Sequence, residues 1–441
     1  MSEFNGIYIA LSGMNAHKAA LEITGHNISN VGSKEYTRQQ AVFSSRDAHE
    51  STLSKALIGG GVILTGPRRM ADCFLEQRLA WEQAQAADWS SRAGLLKEVE
   101  GSINALNLPE KYNAFWEAWH NLALDPNLAQ NRFEVLEQAK VLVDTLKSAR
   151  SQLLDIQDQI EKTLDSQVEE VNILAGQLAD LNKEIKIGIQ KGFQPNDLLD
   201  RRTAMLKELV GITNAHVEYL ADNTVAVTLS VSQVAGAEPE EFFLVNGISA
   251  QEIPSGGELH ATGGSIFGLG EIRQDELQSY LDSLDHIAQS LVAEVNTLHL
   301  TGIGADGSTG NNFFKEPVTG VADLALRDEV ENDPAQIAAD GINPEDTGRI
   351  ALEISNLSPV FSQKLSGLIG QVGIDAKNTI TQDSCHQEML LNMENMRAEL
   401  SGVSLDEELA QMVRFQRAYQ ASAQVLSVMD EVLQTLINIA G

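Results

Sequence analysis

Gly302-Ile303-Gly304-Ala305-Asp306-Gly307 carries the glycine spacing with which backbone N–H groups wrap a dinucleotide pyrophosphate. That chemistry needs a strand before the loop and a helix after it. Here a run of helical period precedes it and Ser308-Thr309-Gly310-Asn311-Asn312 follows, so the segment reads as a turn. Calcium does not suit it either, because Asp306 lacks acidic residues at alternate positions and a closing glutamate. The nine histidines include no His-x-x-x-His pair, there is no Cys-x-x-Cys, and Cys385 and His386 point to different faces of a helix. His299 reads as a hydrogen-bonded residue that locks a helix end to the following loop. Carboxylates are abundant, yet none pairs into an acid/base or nucleophile constellation. No catalytic, cofactor-binding or metal-binding residues are assigned, and an enzyme reading has no site to name.

What the chain offers instead is adhesive helix at both ends. Ile7, Met14, Leu21 and Ile28 recur every seventh residue, with Ala10 and Leu11 thickening the first turns. At the other end the column is Leu405, Met412, Tyr419, Leu426, Leu433 and Ala440, joined by Phe415, Met429 and Leu436 three residues on. A helix over 405–440 would be roughly 50 Å long at ~1.5 Å per residue, with a stripe exposed unless another helix covers it. Asn27 and Asn30, amides three apart near the seam, are candidates for fixing its register. Ser404 is placed to cap the last helix, and Asp406, Glu407 and Glu408 to offset its positive end.

The elements between these ends follow from proline spacing and from period. Leu153, Ile156, Ile160, Leu164, Val168, Val171 and their successors to Ile185 step by three or four, predicting a long helix over 151–189. Shorter helices are predicted over 113–121 and 131–150, separated by the Asp125-Pro126 turn, and another over 275–300. Strict alternation from Val225 to Val231, a turn at Asp222-Asn223, and Phe242 to Val245 ending at Asn246-Gly247 predict strands. The fold class is therefore mainly α with a small β domain. Three regions are expected: terminal coiled-coil helices (1–70 and 386–441), a helical rod (71–212 and 271–385) and an inserted β-rich outer domain (213–270). Trp81, Trp89, Trp116 and Trp119, and the stripe Met389, Met393, Met396, read as core. Cys73 and Cys385 read as small buried residues, too few for a disulfide framework.

Composition narrows the partners. With 62 acidic against 31 basic residues among 441, the net charge is −31, which repels nucleic acid and anionic lipid alike. No run of about 18 apolar residues occurs, so no membrane insertion is expected. The start Met1-Ser2-Glu3-Phe4-Asn5-Gly6 lacks the basic opening of a cleaved secretory signal.

Ala10-Leu11-Ser12-Gly13-Met14, Asn27-Ile28-Ser29-Asn30 and Tyr36-Thr37-Arg38-Gln39 at one end resemble the opening signature of the axial proteins of the bacterial flagellum, the rod, hook and hook-associated group. Ser401 to Glu408 and Phe415 to Ser422 resemble its C-terminal counterpart. In the interior, Phe115-Trp116-Glu117-Ala118-Trp119, Leu198-Leu199-Asp200-Arg201-Arg202, Asn296-Thr297-Leu298-His299 and Asp306 to Phe314 resemble members at the hook–filament junction. The resemblance implies a structural, non-enzymatic role there, needed for filament assembly, with self-association in a helical ring. It implies as partners the hook protein, a second hook-associated junction protein, a cytoplasmic export chaperone on the C-terminal helix, and the flagellar export apparatus. Extracellular location, reached without signal cleavage, follows from the same resemblance. Another hook or rod component, or a cytoplasmic coiled-coil scaffold, is the alternative. Where the group carries Thr-Pro-Gly before its tyrosine, this chain has Ser33-Lys34-Glu35, leaving Gly32 to supply a left-handed turn residue. Longer members carry a further β-rich insertion after the Phe-Phe pair; the short 315–328 stretch predicts that it is absent or small here.

Overall fold

The computed structural model describes residues 5–51, 56–232, 240–253, 258–259, 261–343 and 345–440. In chain order the elements are α1 (Asn5–Ser29), β1 (Gln39–Ser45), β2 (His49–Ser51), β3 (Ala56–Ile58), β4 (Val62–Arg69), α2 (Cys73–Ala105), α3 (Leu108–Leu124), α4 (Ala129–Gln190), α5 (Asn196–Thr213) and β5 (His216–Tyr219). There follow β6 (Val225–Ser232), β7 (Glu240–Asn246), β8 (Ser249–Ala250), β9 (Glu258–Leu259), α6 (Gly264–Glu271), a π-turn at Ile272–Glu276, and α7 (Leu277–His299). The last are α8 (Asp328–Asn332), α9 (Arg349–Ser355), α10 (Ser358–Ser401) and α11 (Leu405–Ala440). Residues 1–84, 170–262 and 387–441 cluster as one unit, and 85–169 with 263–386 as a second. Among the described residues no helix is long and apolar enough to cross a membrane.

Within the second unit, α3 supplies the aromatic centre. Its 3.6-residue period puts Tyr112, Phe115, Trp116 and Trp119 on one buried face. Phe313 and Phe314 close on them, with the Trp119 and Phe313 rings edge-on at 5.2 Å. Asn296 holds that Phe-Phe pair: its Oδ1 accepts from the N–H of Phe313 and of Phe314, both at 2.9 Å, and its Nδ2 donates to the Phe314 carbonyl at 3.0 Å. His299, one turn on, accepts from Ala338 N–H at Nε2 (2.9 Å). That bond fixes the tautomer, so Nδ1–H donates to the Asn311 carbonyl at 2.7 Å. The Gly302 and Gly304 positions are matters of packing: a Cβ on Gly302 would lie 2.8 Å from that of Ala338, and one on Gly304 2.7 Å from the Ala335 carbonyl oxygen.

In the first unit, α5 joins two small sheets. Asp200 Oδ2 accepts from Thr37 N–H at 3.1 Å while its Oδ1 takes Arg69, which anchors the β1–β4 hairpin. Two residues on, Arg202 donates to the Asn223 carbonyl (2.6 Å) and lies over the Tyr219 ring, anchoring the β5–β6 turn. Asn223 adopts the left-handed conformation there (φ 65°). The sheet runs β5-β6-β7-β8, all antiparallel, with β9 also on β6 and a bulge at Val227/Thr228.

Several expectations are corrected. The two helices expected over 131–150 and 151–189 are one, because no proline or glycine pair interrupts 129–190. The β1–β4 and β2–β3 pairings were not anticipated. Trp81 is exposed and Trp89 half-buried beneath Arg92, while the buried apolar positions of α2 include Leu79, Ala84, Ala86, Ala93, Leu96 and Val99. Of the three α10 methionines only Met393 is buried, with Met389 and Met396 exposed on flanking faces. Cys73 and Cys385 are both exposed and free. Gly32 does not take a positive φ; the turn closes instead through Ser33 N–H to Asn30 O (3.0 Å) and Tyr36 N–H to Ser33 O (3.1 Å).

Candidate subunit-contact surface

α1 and α11 lie against each other antiparallel, in a register that side chains report at regular intervals. A Cβ on Gly6 would meet Met429 at 2.9 Å, and one on Gly13 would meet Ser422 Oγ at 3.0 Å. Asn27 Nδ2 reaches Glu408 Oε2 at 3.0 Å. The first step is seven residues on both helices and the second fourteen, and the same register sets Ala20 across from buried Phe415 midway along the second. The buried face of α1 is accordingly small: Ala10, Gly13, Ala16, Ala20, Thr24 and Asn27. Small side chains let the two backbones approach closely, so packing is set by shape and not by bulk.

One end of this seam is polar and fully engaged. Asn27 is buried; it donates to the Gln39 carbonyl (2.8 Å) and to Glu408, and its Oδ1 accepts from Gln39 N–H (3.0 Å) and Tyr36 Oη (2.7 Å). Arg38 donates to Glu408 and to Glu407, both at 2.7 Å. Glu408 is thus a buried charge with two partners, and sliding the helices by one turn would strand it. Burial raises the Tyr36 hydroxyl far above the ordinary phenol range, with Asp197 and Asp200 adding to the effect, so it stays a donor. Further along, His17 sits among Phe43 and Phe415 at 5.7 and 6.3 Å between ring centres. Burial there, with Arg414 nearby, lowers its pKa.

The apolar column Ile7, Met14, Leu21, Ile28 flanks this seam, half-buried, and Leu11 is exposed. On α11, Phe415 lies in the seam and Met429 against Gly6, while Met412, Tyr419, Leu426 and Leu433 flank it half-buried. Leu405 is exposed. The Asn30 side chain donates to the His26 carbonyl within its own turn, apart from the buried cluster around the Asn27 amide. The Leu436 side chain lies outside the described residues. The seam glycines carry no large apolar side chain to mark the seam in the sequence. A small-residue period over Gly6, Ala10, Gly13, Ala16, Ala20 was the available signal.

A second stripe also went unread. Ala418, Ala421, Val425, Val428, Val432, Thr435 and Ile439 repeat at alternating steps of three and four, on a face that α1 does not cover. Val425, Val428 and Val432 remain 46%, 50% and 49% exposed, and Ile439 is 77% exposed. Tyr8 and Leu11, the exposed apolar residues of α1, fall at the same end of the pair. Such an array of β-branched side chains on one open helix face is a candidate contact surface for another helix.

Comparison with known proteins shows what the chain is similar to. A profile described as the flagellar hook-associated protein FlgK helical domain matches residues 96–314. A second, described as the flagellar basal body rod FlgEFG protein C-terminal region, matches residues 394–439. Flagellar hook-associated protein 1 of Bacillus subtilis is 27% identical, over 100% of this chain and 99% of its own. The protein of that name from Escherichia coli is 23% identical over 98% of both. The structure of the flagellar hook junction protein FlgK from Burkholderia pseudomallei aligns at a TM-score of 0.46 and 19% identity, covering 54% of this chain and 46% of that one. The chain belongs to the flagellar hook-associated protein 1 family.

Proposed function

We propose that this chain is a structural, non-catalytic building block joining the flagellar hook to the filament. The observation that carries the reading is the open heptad face of α11: α1 already occupies one seam, and a second stripe from Ala418 to Ile439 remains for a neighbouring copy. Relatives named for hook association support it, over their full length. In this reading Ile7, Leu11, Met14, Leu21, Asn27, Ile28 and Asn30 on α1, with Leu405, Met412, Phe415, Tyr419, Leu426, Met429, Leu433 and Leu436 on α11, form a two-helix strip. Copies of that strip pack side by side in a helical ring. The hook protein lies on one side of the ring and a second hook-associated protein on the other. Before assembly an export chaperone covers the open face of α11, and the chain leaves through the flagellar export apparatus without signal cleavage.

The test is incorporation. Val428→Asp and Val432→Asp place a charge on the open face without touching the α1 seam, so the purified chain should fold normally, and adding it from outside to hooks that lack the chain bypasses the chaperone and the export step. It should nevertheless be missing from isolated flagella, and hooks should lack filaments. Normal incorporation of both variants would overturn the assignment of that face. Absence of the wild-type chain from the hook–filament boundary, by immunogold labelling, would overturn the function. Another rod or hook component is favoured only by the match over residues 394–439, which the wider axial group shares; the match over 96–314 speaks for hook association.

A further inference from the structure

Each helix of the terminal pair leaves one face open, and the two faces carry side-chain types in matching order. On α1 the exposed positions Tyr8, Leu11, Asn15, Lys18 and Glu22 step by three or four along one side. Two apolar side chains give way to an amide and then to charge. On α11 the face that holds Val432, Val428 and Val425 continues through Gln424 and Ala421 to Arg417, all exposed. It too runs from apolar through amide to charge. Both runs start from the same end of the pair, because Gly6 lies at Met429 and Asn27 at Glu408.

The charged ends are left available. Arg417 is exposed and has no ion-pair partner among the described residues, whereas Arg414 before it donates to Gln411 (2.9 Å) and lies over the Phe415 ring. Glu22 meets Lys18 at 3.9 Å, both largely exposed, a contact worth little in water.

Charge also sets a register. Neighbours related by rotation about a tube axis point the same way, so α1 of one copy would meet α11 of the next antiparallel, as it does within a chain. With the two copies level, Lys18 would stand beside Arg417, and like charges repel. Moving the next copy's α1 by four residues, roughly 6 Å at ~1.5 Å per residue, brings Glu22 to Arg417 instead. The same step sets Leu11 at Val428, Tyr8 at Val432 and Asn15 at Gln424. A step of one turn the other way sets Glu22 at Leu409 and Leu11 at Gln420, and matches nothing.

We propose that the open face of α11 receives the outer face of α1 from a second copy of this chain, antiparallel and one helical turn out of level, with Arg417 on that copy's Glu22. The proposal rests on the hook–filament reading for the presence of like-oriented neighbours; the pairing itself comes from the two faces. A contact between unlike faces repeats head to tail, and the one-turn offset makes the repeat climb as a helix.

Disulfide trapping reads this on the purified full chain, apart from any flagellum. Cys73→Ser and Cys385→Ser first remove the two exposed thiols. In that background Leu11→Cys with Val428→Cys, mildly oxidised at high concentration, should give a ladder of dimer, trimer and larger species. Arg417→Glu should slow the ladder about tenfold, and adding Glu22→Arg should restore it, since the reversed charges meet again between copies. Both positions are exposed, so the fold needs neither side chain. No trapping, a product that stops at dimer, equal trapping by Val428→Cys alone, faster trapping with Gln424→Cys in place of Val428→Cys, or a rate indifferent to Arg417→Glu would each overturn the proposal. Labelling of isolated flagella tests the function separately: a chain absent there while the ladder forms overturns the hook–filament reading alone, and a chain present there without the ladder overturns this pairing alone.

Discussion

His299 gives the helical unit a built-in acid sensitivity whose size can be worked out. Burial holds its pKa at about 4 against an ordinary 6.5, with Arg327 adding to the depression and the bond to Asn311 opposing it. Geometry gives the reason: Nε2 faces the N–H of Ala338, so a proton there would meet a donor and not an acceptor. Because the folded pKa lies below the unfolded one, the unfolded chain binds the extra proton first. Stability from this residue is complete above pH 6.5 and is lost as pH falls through 4. A gap of roughly two and a half pH units, at about 1.4 kcal/mol each, amounts to about 3 kcal/mol. Asp88 and Glu276, in the same unit, act the other way, since desolvation raises their carboxyls and low pH favours their folded form. The measurement must therefore isolate the imidazole. Urea unfolding followed by tryptophan fluorescence, on wild type and His299→Gln at pH 7.5, 6, 5 and 4, allows the other groups to cancel in the difference. Wild type should be the more stable at pH 7.5, and its advantage should shrink by about 3 kcal/mol by pH 4. A difference that stays constant across that range would refute the account of His299.

Other consequences concern the terminal pair. Gly13→Leu should lower the stability of the first unit by roughly 1–3 kcal/mol, since its first added carbon already meets Ser422, whereas Gly25→Ala, with nothing within 4 Å, should raise it by up to about 1 kcal/mol; thermal melts of the full chain decide. Arg38→Met leaves Glu408 buried with Asn27 as its remaining partner and should cost roughly 3 kcal/mol, most of it recovered when combined with Glu408→Gln; failure of the double variant to recover would deny the clamp. His17, with its pKa lowered, should loosen the α1–α11 seam as pH drops below the usual histidine range; hydrogen-exchange protection of α1 should fall there in wild type and hold in His17→Phe.

Helices were the readable part of this chain, because period and proline spacing are local properties. Leu405–Ala440 is found with the bounds that the heptads suggested. The strands from Val225 to Asn246 were legible from alternation and turn residues. β1 and β4 were not, since their half-buried faces mix Gln39, Ala41, Phe43 and Pro67 with no clean alternation. The motif residues divide in an instructive way. His299 was legible as the lock between a helix end and the following loop, and it bonds to Asn311 and Ala338, whereas Asp200, Arg202 and Asn296 resisted any chemical reading in sequence because their task is to tie loops that are distant in the chain. Polar groups that satisfy remote backbone leave no spacing signature, only a residue type that looks misplaced among apolar neighbours.

The terminal pair inverts the usual arrangement of a two-helix coil. Bulky side chains normally fill the shared seam, yet here α1 brings Gly6, Ala10, Gly13, Ala16 and Ala20 to it, while Val425, Val428, Val432 and Ile439 face outward. Burying the exposed half of each such side chain offers about 1 kcal/mol, so one contact along this face is worth only a few kcal/mol. That is too little to hold two free chains together against the cost of association. Repeated on a lattice, where each copy touches several others at once, the same face becomes decisive because the later contacts are made within an assembly already formed. A weak outward stripe combined with a tight, polar-locked inner seam therefore suits the proposed role, in which the chain stays single before assembly and becomes permanent within the ring.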